Sequence, residues 1–462
     1  MPDTSPRLML VTDSYPPFIG GADRQVQMIG QGMAERGYEV LVVTPWQPGL
    51  PVTQQDDGVR VVRVRSLTTR VPWFSRDSQR RHHPPFPDPG TWWELRRLIA
   101  RWRPDVVHSY GWITWSVAAA LRTTDIPFVM SARDYGSFCS VRNLLYYKGR
   151  ICNGPALGKC LRCAAYTYSQ DEAGNAVLGG RDREISDRHR LRGAGKGLAA
   201  VAAVLGGRRL LSGRLDGLHS NSSFVQMSVR RHLLAGLSRK ALLVDEVIPS
   251  FLPPDSLGPV DEAALAQLPS EPYILFVGAL LPQKGIWPLL AAYARLSRPA
   301  PPLVLLGPSF HNTPSAVPPG AVIAPPVGQA TVLAAWQNAL FGVVPSVGAE
   351  TFGNVITEAM SQGRTVVASH VGGIVDIVDD GESGLLVPPG DVEALRAAMQ
   401  RLVDDSVLRE RLAARARATV ERFRLDAVLP RFDRMYRGLM MESGGTGNRP
   451  PRRRKNEHDG RG

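Results

Sequence analysis

The sequence predicts an α/β protein made of two doubly wound parallel-sheet domains that face each other across a cleft. Three observations predict it. The chain holds 462 residues, too many for one ordinary core. Short Val/Ile/Leu runs alternate with amphipathic helical patterns in both halves, the mark of a parallel sheet covered on both faces. Between the halves lies a Pro-rich, non-periodic stretch, 244–272.

The elements follow in order. Leu8 to Thr12 reads as the first strand, and Asp23 to Arg36 as a helix ended by Gly37. Strands follow at Glu39 to Thr44 and Val59 to Arg65. Thr68 to Pro89 is rich in Pro, Arg and His and lacks periodicity, so it is a long loop of the kind that often carries function. Trp92 to Arg101 is a helix stopped before Pro104. Asp105 to Ser109, Thr114 to Leu121 and Pro127 to Ser131 read as strand, helix and strand. Ser220 is placed to cap a further helix. The second series opens with a strand at Tyr273 to Val277 and a helix at Trp287 to Leu296. Strands at Leu303 to Leu306 and Val322-Ile323, a helix at Val332 to Ala339 and a strand at Gly342 to Pro345 continue it. Asp391 caps a helix through Leu402, and two more helices end near Gly438.

Bulk composition narrows the function classes. Hydrophobic residues make up 44% and charged residues 21%, as in a globular enzyme. No apolar run approaches the roughly 18 residues that span a bilayer. No signal peptide is visible, so the expected location is cytoplasmic, with peripheral contact to an anionic membrane left open. The net charge of +13 is concentrated. Residues 443–462 hold six Lys/Arg against two acids, and 181–214 hold nine against three. The first of these is expected to be a disordered tail. It has no interleaved aromatics, which argues against a single-strand nucleic-acid binder. The first strand is not followed by Gly-x-Gly-x-x-Gly, which argues against a dinucleotide enzyme.

The most informative stretch is Glu350-Thr351-Phe352-Gly353-Asn354-Val355-Ile356-Thr357-Glu358. A strand, a Gly-containing loop and a helix start offer free backbone N–H groups to a phosphate. Beside such a site a carboxylate suits a sugar hydroxyl, which donates to it, better than a phosphate, which it repels. Glu350 is therefore read as a ligand of sugar hydroxyls and Glu358 as a ligand of ribose. Gly20-Gly21 sits between the first strand and helix and lets a diphosphate approach the backbone. Gly278 and Lys284 follow the first strand of the second half, where a lysine can neutralise a diphosphate. His108 and Arg133 stand at strand ends in the first half.

Around these residues the frame is long and ordered. Asp13-Ser14-Tyr15-Pro16-Pro17, Gly20-Gly21 and Gln25-Val26 open it. Pro345-Ser346, Glu350 to Gly353, Glu358-Ala359-Met360, Gly372-Gly373 and Gly384 to Pro388 close it. This frame resembles the retaining GT-B glycosyltransferases of family 4. The resemblance implies two Rossmann-like domains: an acceptor-binding one at 1–243, a linker at 244–272 and a donor domain at 273–425. A helix at 426–442 would pack back on the first domain. It implies transfer of a sugar from a UDP- or GDP-sugar to a hydroxyl on a glycan, lipid-linked or small-molecule acceptor, with retention of configuration. Glu350, Lys284, Arg133 and His108 would be catalytic. Gly20, Gly21, Gly278, Lys284, Phe352, Gly353, Asn354 and Glu358 would bind the donor. No metal would be required for catalysis. Two departures stand out: Arg133 occupies the family's usual histidine position, and Ala279 its usual arginine. A non-catalytic nucleotide-sugar-binding homologue stays open as the alternative.

Cys139, Cys152, Cys160 and Cys163 are the only cysteines, separated by 12, 7 and 2 residues. Four clustered thiolates suit a tetrahedral structural zinc. Free buried thiols, and disulfides or a redox pair, are the competing readings.

Overall fold

The computed structural model describes residues 5–17, 21–67, 83–146, 150–173, 184–235, 241–252, 258–310, 313–314 and 316–444. Gly20, most of the 68–89 loop and the basic tail beyond 444 lie outside the described residues.

The first sheet is built from β1 (Arg7–Thr12), β2 (Glu39–Pro45), β3 (Thr53–Asp56), β4 (Val59–Val64), β5 (Val106–Tyr110) and β6 (Phe128–Ala132). A short hairpin, β7 (Leu145–Tyr146) and β8 (Arg150–Ile151), stands apart; β9 (Gly217–Ser220) and β10 (Val244–Val247) complete the sheet. Its order is β10-β9-β6-β5-β1-β2-β4-β3, parallel except where β3 pairs antiparallel with β4. The second sheet holds β11 (Tyr273–Val277), β12 (Leu303–Leu306), β13 (Ala321–Ala324), β14 (Ala339–Val344), β15 (Val366–Ser369) and β16 (Leu385–Val387). Its order is β13-β12-β11-β14-β15-β16 and every pairing is parallel. The central strands are largely apolar runs because both faces are covered, whereas the edge strand β3 (Thr53–Asp56) is polar and alternates in exposure.

Helices α1 (Gly21–Glu35), α2 (Pro89–Trp102), α3 (Thr114–Ala120), α4 (Leu157–Ala173), α5 (Asp187–Arg214) and α6 (Ser223–Val229) belong to the first half. The second half carries α7 (Glu262–Leu265), α8 (Ile286–Tyr293), α9 (Gln329–Gln337), α10 (Asn354–Ser361), α11 (Val392–Asp404) and α12 (Ser406–Val420), and α13 (Leu425–Gly444) is the last element among the described residues. The α5 helix interior is glycine-rich where it packs tightly: a Cβ at Gly197 would meet the Ala165 backbone nitrogen at 2.8 Å.

Two details differ from the sequence reading. The stretch expected as linker from residue 244 begins with β10, paired in register with β9, because Val244 and Val247 extend the sheet edge. The cap of α6 is Ser222 and not Ser220: Ser222 Oγ accepts from Val225 N at 3.3 Å.

The last helix returns to the first half. Val428, Leu429, Phe432, Met435, Tyr436 and Leu439 of α13 are buried among Val26, Ile29 and Met33 of α1 and the first sheet. The chain therefore crosses between halves twice, and the crossings touch: Leu252 N donates to Phe423 O at 2.9 Å.

Candidate active site

In an open parallel sheet, ligands bind beyond the carboxyl ends of the strands where the strand order reverses. In the second sheet that reversal lies between β11 and β14. Lys284 ends a single helical turn, Pro282–Lys284, just after β11, and Glu350 lies in the loop after β14. The two loops are stitched together, since Val347 N and Gly348 N both donate to Gln283 O at 3.0 Å. Gly285, at φ +77°, lets them meet; a Cβ there would fall 1.8 Å from Pro345 O.

The side chains converge. Lys284 Nζ lies 2.6 Å from Glu350 Oε1, and Ser346 Oγ donates to the same oxygen at 2.7 Å. The Glu350 side chain is 16% exposed and that of Lys284 38%. From behind, Gly373 N donates to Glu350 O at 2.8 Å, and a Cβ at Gly372 would meet Glu350 O at 2.2 Å. The carboxylate is thus fixed by two side chains, and the Glu350 backbone by a glycine turn.

Next to it begins α10. Gly353 sits at its N-cap with φ +119° and, having no side chain, leaves the helix start without a side-chain cap. Phe352 is buried against Phe423, which holds the loop down. Asn354 is exposed at the first helical position. Glu358, one turn on, is partly buried; burial pushes its carboxyl up from 4.5 to about 7, and the Gln329 amide pulls it partly back. Gly278, at φ +147°, follows β11, and Gly307 packs so closely that a Cβ would meet Gly278 O at 2.1 Å. Gly21 opens α1 in the first half.

The first sheet reverses between β1 and β5. There Asp13, just after β1, accepts from Trp112 N and Ile113 N at 2.7 Å each. Burial raises its carboxyl to about 6, against the pull of Arg142. Arg142 in turn pairs with Asp134 and lies over the Trp112 ring. The two carboxyl edges face one another. Tyr135 OH donates to Ala349 O at 3.0 Å. Ser223 N and Oγ, at the start of α6, donate to the two Asp376 oxygens at 2.6 Å each.

Several residues stand elsewhere than the sequence suggested. His108 has no exposed surface. Its Nδ1 lies 2.7 Å from Tyr436 OH and 3.1 Å from Tyr110 OH, among His219 and Phe432. Burial drives its pKa far below the ordinary value, so it is a neutral packing group under α13 and not a cleft residue. Arg133 Nη2 donates to Ser250 Oγ at 2.8 Å, in the first interdomain crossing. The zinc expectation is corrected. All four cysteines are free, and among the described residues no three His, Cys, Asp or Glu side chains gather to hold a metal. The β7–β8 hairpin stands between Cys139 and Cys152. The Cys152 and Cys163 thiols turn to backbone carbonyls, Gly154 O at 3.4 Å and Leu145 O at 3.5 Å. The sequence reading placed Asp13 and Ser346 in the ordered frame but gave them no role, and it missed Tyr135 and the Ser223–Asp376 contact.

Two family models match the chain: Glycosyl transferases group 1 over residues 271–405, and Glycosyl transferase 4-like domain over 20–170. The phosphatidyl-myo-inositol mannosyltransferase of Mycobacterium leprae is 39% identical over 110 residues, which is 24% of this chain and 29% of that one. The chain spans about half or less of the length of the curated relatives it matches. In solved structures, sucrose-phosphate synthase from Thermosynechococcus elongatus superposes with a TM-score of 0.63 at 20% identity, covering 95% of this chain and 100% of that one. Anabaena HepE in complex with UDP-glucose superposes with a TM-score of 0.57 at 16% identity, covering 93% and 98%. These likenesses establish the fold.

Proposed function

The chain belongs to the group 1 glycosyltransferases of GT-B fold, and from that premise we propose that it moves a sugar from a UDP- or GDP-sugar to an acceptor hydroxyl with retention of configuration. The observation that carries the reading is the α10 N-terminus, free of any side-chain cap, set between the Lys284–Glu350 pair and Glu358. Its backbone N–H groups at Phe352, Gly353 and Asn354 suit a diphosphate. Lys284 adds positive charge beside it, and Glu358 accepts from ribose hydroxyls. Glu350 Oε1 is taken by Lys284 and Ser346, which leaves Oε2 for hydroxyls of the sugar.

In the step itself, the bond from the anomeric carbon to the diphosphate oxygen breaks, and the acceptor oxygen bonds that carbon on the same face. The acceptor proton passes to the departing phosphate. The protein positions the partners and stabilises the charge on the leaving group. The acceptor belongs to the cell-envelope class, a glycan or lipid-linked hydroxyl. That agrees with the mannosyltransferase likeness and with the exposed Arg188, Arg190 and Arg192 on α5, which suit an anionic surface.

A thermal-shift series with UDP, GDP, ADP and dTDP, followed by transfer assays with the matching sugar conjugates, tests it. One nucleotide series should stabilise the fold, and its sugar should be transferred. Stabilisation with no turnover would favour a nucleotide-sugar-binding subunit, a reading that Arg133 and Ala279 keep in play. No stabilisation by any nucleotide would sink the proposal.

A further inference from the structure

A second pocket, about 340 Å³ in volume, opens on the other edge of the second sheet. It is lined by Leu340 at the start of β14, Gly363 and Arg364 before β15, and Arg409, Ala413 and Arg417 of α12, with Glu410 at its rim. Glu350 follows the opposite end of β14, so at least a strand length of about 17 Å separates the two sites.

The pocket follows from spacing on α12. Residues 409, 413 and 417 recur every four positions and share one helix face. Arg409 and Arg417 then stand about 12 Å apart along the axis, and alanine at the turn between them leaves the gap. Arg364 closes the third side. Among the described residues no carboxylate lies within ion-pair range of any of the three guanidiniums. Glu410 is the only acid in the lining, so the formal balance there is +2. Arg364 is held below its ordinary pKa by burial first, then by Arg417 and Arg409. Arginine keeps its proton, so such repulsion persists until an anion offsets it.

Helix capping accounts for part of the cluster and not for the whole. Arg364 donates to Trp336 O at 3.2 Å and to Gln337 O, at the end of α9. Arg409 donates to Leu402 O at 2.5 Å, in the last turn of α11. Arg417 donates no hydrogen bond among the described residues. It lies against Gly363, whose φ is +67° and where a Cβ would come within 2.1 Å of Arg417 Nη2. The α10 carbonyls beside it already accept backbone bonds, from Gly363 N to Met360 O and from Arg364 N to Ala359 O. Arg417 is exposed and Arg364 and Arg409 are half-buried, so most of the fifteen or so N–H donors that three guanidiniums carry have no partner among the described residues and face the open pocket.

We propose that this pocket binds a small phosphate-bearing anion, held by Arg364, Arg409 and Arg417. Planar guanidinium forks match phosphate oxygens in pairs, and the volume is in the range of small-molecule sites. The site lies outside the donor cleft and stands independently of the proposed transfer reaction. It touches the C-terminal end of α10, whose N-terminal end is part of the donor site.

The test is a thermal-shift and calorimetric titration with inorganic phosphate at fixed ionic strength, using chloride as the balancing anion. Phosphate should stabilise the wild type saturably, and Lys284→Gln, which alters only the donor cleft, should respond alike. Arg417→Gln should weaken phosphate at least tenfold. Ala413→Glu puts a carboxylate between the arginines; it should raise the melting point without phosphate and remove the phosphate response. An equal response in wild type, Arg417→Gln and Ala413→Glu would overturn the proposal, as would no saturable response in the wild type.

Discussion

Lys284 Nζ stands 2.6 Å from Glu350 Oε1, so the two charged groups flanking the crossover crevice of the second sheet hold each other. The pair is partly exposed, and pairs of that kind contribute about 1 kcal/mol or less to stability. Its value lies in orientation. Glu350→Gln should therefore lower kcat by about 100-fold, the scale of losing one preorganised electrostatic contact, with little change in melting point. Steady-state kinetics beside a melting curve separate the two effects. Near-normal turnover would remove Glu350 from the reaction.

Glu358 sets a pH dependence. Its folded pKa is about 7 against an ordinary 4.5. Between those values the folded chain keeps a proton that the unfolded chain has lost. Stability should fall as pH rises through that window, by on the order of 2 kcal/mol, and level off above it. Asp13, raised to about 6, adds a fall of the same sign at lower pH, so denaturant titrations from pH 4.5 to 8 should show a shallower slope in Glu358→Gln than in the wild type, with the difference greatest above pH 6. If Glu358 accepts ribose hydroxyls as proposed, they donate to its ionised form, so nucleotide binding should release a proton and tighten as pH rises towards 7. Calorimetry in buffers of different ionisation enthalpy reads that proton directly.

Asp376 ties the two halves together through Ser223 N and Oγ. It lies on the same turn as Gly373, which donates to Glu350 O. The contact between the halves is thereby linked to the position of Glu350, the carboxylate proposed to hold the sugar. Asp376→Ala should widen the solution radius of gyration and lower kcat/KM about tenfold, the scale of a charged hydrogen bond. Scattering and kinetics that both match the wild type would leave the contact without a role.

Gly372 has φ +60°, and a Cβ there would lie 2.2 Å from Glu350 O. Gly372→Ala should cost about 2–4 kcal/mol through backbone strain and overlap. That corresponds to a drop of roughly 5–10 °C in melting point for a domain of this size. Because the overlap falls on Glu350, activity measured well below the new melting point should fall too.

Much of this architecture was legible in the chain. The strands were visible because a sheet covered on both faces needs continuous apolar runs, as in Leu303–Leu306 and Val366–Ser369. The places of Lys284 and Glu350 after strands, and of Glu358 one turn into a helix, were legible because local sequence marks such positions; the roles proposed for them rest on the experiments above. Their mutual arrangement was not legible. Lys284 and Glu350 are 66 residues apart, and only the strand order brings them together. His108 was misread for the same reason. Its strand end looks like a cleft position until Tyr436, 328 residues later, covers it. The cysteines misled because spacing reports proximity along the chain and not the direction in which a thiol points.

The return of α13 also bears on how such a chain can be rearranged. Both ends of the second half meet at the Leu252–Phe423 contact, while α13 completes the core of the first. In three dimensions the second half is an insertion, joined to its host by two adjacent strands of backbone. A chimaera cut once, in the 248–272 stretch, would strip the first half of a helix that buries Phe432, Tyr436 and Leu439, and carry that apolar stripe into a partner with no groove for it. A cassette exchanged at two points, near 252 and 424, leaves both cores whole. Recombination that exchanges the second half among proteins of this topology is thus confined to paired breakpoints.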